Sequence, residues 1–338
     1  MKFSLSLVLL TLLVLATGRA VDSGPPVVLL GGGDGLRAEV LLPDAAKGFY
    51  RGSRFSWAGM IHSLQYNGHR YFVAWSGRDH SFTNHGAGPA TEFDLPDPDI
   101  GIVAPPGFAE AGPGGLFLKI GVGWLRRDAE AGYHPFRPYE IADAGMWRLE
   151  REENAVTMTH DLSVRDGLGC YYRKQISLDP LRCMLTVTET VRNIGTRTLE
   201  TVGYCHNFLA IDGTPIGPSY RLSTIPALDP VETPPPVFQR RGEEWVFPKA
   251  VKNTLFLVFP PPESSGFRIQ VHNDATGGSL EIRTSEKIRA FRLFVDPAVL
   301  CPETFVAARL SPGEEKTWSW QYLFQSNPSR QPRLKTCQ

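Results

Sequence analysis

The chain has 338 residues, and its 35 Lys plus Arg balance its 35 Asp plus Glu, so no global field draws it to nucleic acid or to an acidic membrane. With 33 Gly, 28 Pro and 11% aromatics, the composition reads as many strands joined by turns, with aromatic faces available. The length suits one large all-β domain or two smaller ones, and it can bury a sizeable core.

The N-terminus reads as a targeting segment. Lys2 precedes an apolar run from Leu5 to Ala16, and Gly18-Arg19-Ala20 places small residues at a cleavage site. Residues 1–20 are expected to be a signal peptide, the mature protein being secreted or periplasmic. No later stretch is apolar enough to span a bilayer, so no membrane span is expected after cleavage. Residues 21–37 read as a linker. Its Gly31-Gly32-Gly33-Asp34-Gly35 run lacks the Lys-Ser/Thr and the strand–helix context of a phosphate loop. The main domain is placed at 38–328, with a short tail at 329–338.

Beyond the linker, period-two patterns dominate the chain. Strand-like runs occur at 61–66, 155–162, 171–177, 183–192, 254–259, 279–283, 288–294 and 317–324. In the last, Trp318, Trp320, Tyr322 and Phe324 share one face, and Thr317, Ser319, Gln321 and Leu323 share the other. Asn67-Gly68, Asp166-Gly167, Asp179-Pro180, Asn193-Ile194-Gly195 and Ser311-Pro312-Gly313 supply turn chemistry. Runs 171–177 and 183–192 are expected to form a hairpin. Helical periodicity is missing, and strands do not alternate with helices, which points to a large antiparallel sandwich. Residues 76–115, 212–237 and 260–266 read as loops, where binding surfaces tend to lie.

The cysteines are Cys170, Cys183, Cys205, Cys301 and Cys337. Their odd count and spacing match no disulfide framework or metal site. Buried thiols are expected, with one or two bridges at most, and Cys205–Cys301 is the pair to test first.

There is no Ser-centred nucleophile elbow, no HExxH, no Walker loop and no Rossmann fingerprint, and basic residues do not interleave with aromatics as in a nucleic-acid reader. No metal or cofactor is called for. Proton transfer or plain binding remains. His206 lies where an apolar strand meets a Gly/Pro-rich loop, and an imidazole titrates near neutral pH; the plainer reading is a structural histidine bonded to backbone. Glu303 stands in an apolar stretch, where burial would raise its pKa toward that of a useful base; the plainer reading pairs it with Arg289 or Arg292.

These two segments resemble the galactose-mutarotase-like (aldose 1-epimerase-like) proteins. His206-Asn207-Phe208 is similar to the family's histidine strand end, and Glu303-Thr304 to its C-terminal glutamate motif. Ser53-Arg54-Phe55-Ser56-Trp57-Ala58-Gly59-Met60-Ile61-His62-Ser63-Leu64 resembles its opening strands. The resemblance implies a large antiparallel β-supersandwich and a carbohydrate ligand. It implies His206 as general acid toward the ring oxygen of an aldose and Glu303 as general base toward the anomeric hydroxyl, the two facing each other across a hexose-sized hollow. It places Arg126, Trp124, Arg54 and Asn207 as substrate contacts, Trp124 or Trp57 by stacking. One departure stands out. Val122-Gly123-Trp124-Leu125-Arg126 carries valine where the family has a substrate-holding histidine; His80, His85 and Lys119 are the nearby polar substitutes, each otherwise read as a surface residue. A non-catalytic sugar-binding protein and a lyase-like enzyme using Tyr204, His206 and Arg126 are the alternatives.

Overall fold

The computed structural model describes residues 24–32, 35–76, 85–95, 104–128 and 131–326. Near the N-terminus β1 (Val27–Gly31), β2 (Arg37–Leu41), β3 (Met60–Tyr66) and β4 (His69–Arg70) form an antiparallel sheet in that order. A short ribbon of β5 (Ala74–Trp75) and β6 (Gly86–Ala87) leads to β7 (Ala90–Phe93). A three-stranded sheet comes next, made of β8 (Leu116–Lys119), β9 (Gly123–Arg126) and β10 (Glu140–Asp143). Successive hairpins then join β11 (Met146–Arg151), β12 (Ala155–Arg165), β13 (Leu168–Asp179) and β14 (Met184–Asn193). After them come β15 (Leu199–His206), β16 (Tyr220–Ile225), β17 (Gln239–Arg241), β18 (Glu244–Val246) and β19 (Leu255–Phe259). The chain closes with β20 (Arg268–Asn273), β21 (Gly278–Thr284), β22 (Ala290–Asp296), β23 (Val299–Leu310) and β24 (Glu315–Ser326).

Two sheets make the sandwich. Ten strands run in the order β11-β12-β13-β14-β24-β21-β20-β16-β18-β17, and five in the order β19-β22-β23-β15-β7. Among the described residues there is no α-helix, only a 3-10 turn at Ile211–Gly213. No helix there is long and apolar enough to cross a membrane. The antiparallel architecture expected from the alternating patterns is thus the one observed. The expected hairpin forms as β13 and β14, with Ile176 opposite Val187 and Tyr172 opposite Val191. Its turn is closed by the Asp179 carboxylate, which accepts from the amides of Leu181 and Arg182 at 3.1 Å each.

Three readings of the chain's organisation need correction; in the first, the loop placed at 212–237 contains β16, which pairs with β20 from Tyr220↔Asn273 to Ile225↔Arg268. The linker placed at 21–37 contains β1, which pairs with β2 from Val27↔Leu41 to Gly31↔Arg37. Val28 and Leu30 point inward and are buried, so four apolar residues sufficed for a strand that their glycine-rich flank disguised. The loop placed at 76–115 contains β7, whose Ala90, Thr91, Glu92 and Phe93 are all buried. A strand hidden on both faces lacks the alternation that marks a half-exposed one. The signal segment and the tail lie outside the described residues.

The apolar side chains gather in two bodies. The main core fills the space between the two sheets and contains Trp318, Trp320, Tyr322 and Phe324, all on one face of β24 as the alternation required. Trp320 Nε1 donates to Thr304 Oγ1 at 2.8 Å across that space. A second body, including Phe55, Trp57, Phe117, Val122, Tyr139, Phe208 and Cys301, covers the opposite, outer face of the five-stranded sheet. The candidate site lies beneath this outer layer.

Candidate functional site

Strand register assembles the site. Across β15 and β23, Tyr204 pairs with Phe305; one full step further along, the same antiparallel register sets His206 opposite Glu303. Across β22 and β23, Arg292 pairs with Glu303. On the other side, His206 pairs with Ala90 and Tyr204 with Glu92 of β7. Directly opposed residues share a face, so Arg292, Glu303, His206, Tyr204 and Glu92 all project outward from the five-stranded sheet. Thr304 and Cys205, one residue away on each strand, project into the main core instead.

His206 Nε2 lies 3.4 Å from Glu303 Oε1. The two therefore stand side by side rather than across a hollow, which corrects the arrangement expected from the sequence. Their side chains are only 5% and 2% exposed. Phe208 stacks on the imidazole at 4.1 Å, while Phe55 and Phe294 meet it edge-on at 5.8 and 5.4 Å. Among the described residues, His206 Nδ1 and Glu303 Oε2 are buried without a hydrogen-bond partner. An unpaired buried polar atom is costly and calls for an explanation.

Burial sets the protonation of both groups. It pushes the Glu303 carboxyl up to about 8, against the pull of Arg54, with Glu92 adding to the rise. Burial, helped by the Arg54 cation, holds His206 well below the usual histidine range. Both shifts favour the uncharged form of each group.

Arg54 stands in this group, as expected. Its Nε donates to Glu92 Oε2 at 2.9 Å, and its guanidinium lies 4.4 Å from the centre of the Phe55 ring. Tyr204 donates to the same Glu92 oxygen at 2.5 Å. Lys119, read from sequence as an exposed lysine, is fully buried, donating to the Phe93 carbonyl and, at 3.0 Å, to the Tyr133 hydroxyl. Burial lowers its pKa, opposed by the charges of Glu92 and Asp94. Burial likewise raises Asp94 to about 6, opposed by Lys119. Glu92, Asp94 and Tyr133 were missed in the sequence. The signal available was Glu92 inside the short run Ala90-Thr91-Glu92-Phe93, a lone carboxylate among strand-forming residues.

Three predicted contacts sit elsewhere. Trp124 is buried in the main core, with its Nε1 donating to the Ser163 carbonyl at 3.2 Å, so its ring has no face to offer a sugar. Arg126 is at the end of β9, bonded through Nε to Glu140 at 3.1 Å and through Nη1 to the Gly114 carbonyl at 2.9 Å. Asn207 braces the sandwich: its Nδ2 donates to the Pro302 carbonyl, and its Oδ1 accepts from Tyr322 at 2.8 Å. The lyase-like trio therefore does not assemble, since Arg126 pairs with Glu140 and the Tyr204 hydroxyl is given to Glu92. Trp57 is buried in the outer layer and donates to the Gly52 carbonyl at 2.9 Å. Val122 is buried in the same layer. His85 is half-buried, and His80 lies outside the described residues.

The Cys205–Cys301 bridge does not form. Both thiols are free. Cys205 faces the main core, where its sulfur lies 3.8 Å from Thr91 Oγ1. Cys301 faces the outer layer and accepts from the Phe208 amide at 3.3 Å. Opposite faces of one sheet keep the sulfurs apart, although their strands are adjacent.

Solved structures share this fold. The chain superimposes on a galactose mutarotase-like protein from Clostridium acetobutylicum with a TM-score of 0.54 at 10% identity, covering 91% of this chain and 98% of that one. The fold is the galactose-mutarotase-like supersandwich. A galactose mutarotase-like protein from Lactobacillus casei gives 0.51 at 12% identity over 89% of this chain and 100% of the other. A galactose mutarotase related enzyme from Lactobacillus acidophilus gives 0.52 at 10% identity over 91% and 100%. No family model matches the sequence, and no curated protein matches it. The galactose-mutarotase-like fold is thus shared at a sequence distance where the fold alone is established.

Proposed function

We propose that this galactose-mutarotase-like chain binds an uncharged carbohydrate at the outer face of its five-stranded sheet, and that the Glu303–His206 pair interconverts the anomers of an aldose there. The observation that carries the reading is the 3.4 Å contact between His206 Nε2 and Glu303 Oε1 on one sheet face. The ring oxygen and the anomeric hydroxyl of a pyranose are both bonded to the same carbon, so adjacent acid and base groups address both at once. Two groups on opposite sides of a wide hollow would not.

The directions of these shifts favour the opposite assignment of roles from the one the resemblance implies. Glu303, holding its proton at neutral pH, gives it to the ring oxygen as the bond from that oxygen to the anomeric carbon breaks. His206, neutral, takes the proton of the anomeric hydroxyl as the aldehyde forms. Closure on the opposite face of the aldehyde returns both protons, so the cycle needs no cofactor. Each positioned group contributes on the order of 100-fold or more. Arg54 is neutralised by Glu92 and the reacting pair is uncharged, which favours a neutral sugar. The signal-like N-terminus supports export, the mature chain acting outside the cytoplasm.

Polarimetry of aldose mutarotation tests this. The wild-type protein is expected to accelerate equilibration of at least one common aldose, and His206→Ala and Glu303→Gln are each expected to lose about 100-fold of that acceleration. Rates equal to buffer for every aldose would remove the catalytic claim.

Burial of the pair favours a second reading, a sugar-binding protein without turnover. Val122 in the place of the family's substrate-holding histidine favours it as well. Sugar affinity in calorimetry without accelerated mutarotation would select it.

A further inference from the structure

The site face of the five-stranded sheet does not end at Glu303. Arg292 of β22 stands opposite Glu303, and Val258 of the edge strand β19 stands opposite Arg292. Two residues along, Phe256, Phe294 and Cys301 form the next row on the same face. Phe294 borders the His206 ring at 5.4 Å and the half-buried Trp75 at 5.9 Å. At the outer end of this row Phe256 is 52% exposed, and the buried Arg292 guanidinium holds its ring at 5.1 Å from the centroid. Few large apolar side chains on this sheet are so exposed.

We propose that Phe256 and Phe294 form a second sugar subsite, so that the ligand is a reducing oligosaccharide. Its terminal aldose sits at the Glu303–His206 pair and its neighbouring residue stacks on Phe256. This deepens the proposed function and rests on it. The geometry fits the length of such a ligand. From Glu303 to Phe256 the face crosses two interstrand spacings, about 10 Å, more than one pyranose ring covers. The chemistry fits as well. The C–H face of a pyranose is apolar and packs on the face of an aromatic ring. A cation pinned against one ring face fixes the ring before the ligand arrives, which lowers the ordering cost of binding.

Calorimetric titration with glucose and galactose against maltose, cellobiose and lactose tests the subsite. For the wild type at least one disaccharide is expected to bind about 10-fold tighter than its reducing-end monosaccharide. In Phe256→Ala that ratio is expected to fall to about one, and in Phe256→Trp, which keeps a stacking face, to persist. Phe256 is solvent-facing, so both variants are expected to fold, and circular dichroism checks this. Monosaccharide binding with a disaccharide ratio of one in the wild type, or an unchanged ratio in Phe256→Ala, overturns the subsite and leaves the pair's role standing. Binding of no sugar at all overturns both.

Discussion

Burial raises the Glu303 carboxyl well above the ordinary glutamate range, and this has a consequence for stability. Its folded pKa is about 8, against an ordinary value of 4.5. Between those values the folded state binds the proton and the unfolded state does not, so stability falls as pH rises through the window. His206 works in the opposite direction at lower pH. Its folded pKa is depressed, so stability is lost as pH falls below its ordinary value of 6.5. Above neutrality only the Glu303 effect remains from this pair. Between pH 7 and pH 9 the wild type is expected to lose about 1–2 kcal/mol relative to Glu303→Gln, measured as the difference in urea unfolding free energy at the two pH values. A parallel pH dependence in both proteins would mean that Glu303 titrates normally. The sequence disclosed the His206 and Glu303 positions through short motifs. It concealed Glu92 and Asp94, and the burial of Lys119, because a buried charge looks, residue by residue, like a surface one.

At the scale of elements, most of the architecture was legible. The β13–β14 hairpin, the aromatic face of β24 and the turns at Asn67-Gly68 and Asp166-Gly167 all follow from period-two patterning and turn chemistry. The Asp166-Gly167 turn has both central residues at positive φ, 50° and 79°, the geometry that suits the twist of a tight hairpin. Gly167→Ala is expected to destabilise the fold by about 1 kcal/mol or more, because a Cβ there is strained at this φ and meets the Arg197 side chain at 2.8 Å. Thermal unfolding followed by circular dichroism measures it, and an unchanged midpoint would refute it. Of the elements that escaped, β16 lay inside the stretch read as loop at 212–237, and β1 and β7 were each disguised. One is a four-residue apolar run beside glycines, and the other is buried on both faces. In β14 the alternation also hid Glu189, which occupies an inward position and faces Lys174 of β13, 3.7 Å away with both side chains fully buried. Thr91 of β7 donates to Glu189 and accepts from Lys174 at 2.8 Å. This polar knot joins the two sheets directly behind the site.

For the whole molecule, the sandwich holds together without a cross-link among its described cysteines. Cys170, Cys183, Cys205 and Cys301 are all free, and burial pushes the Cys205 thiol up to about 12. Reductant is therefore expected to leave the melting temperature unchanged. A thiol-reactive chromophore is expected to reach Cys170, Cys205 and Cys301 only after denaturation. A lowered melting temperature under reductant would point to a bridge absent among the described cysteines. Adjacent positions on one sheet can face opposite layers, and the absent Cys205–Cys301 bridge is the plainest case.

The sequence by itself determined the all-β class and the antiparallel plan, and it singled out His206 and Glu303 as the candidate pair. Those features are written locally, in side-chain period, turn residues and short motifs. Tertiary structure alone decided that His206 and Glu303 touch and which charges surround them. Trp124, Asn207 and Arg126 were assigned to other work by the same means. Contact and burial depend on cross-strand register and on which layer covers each sheet face, and residues distant along the chain set both.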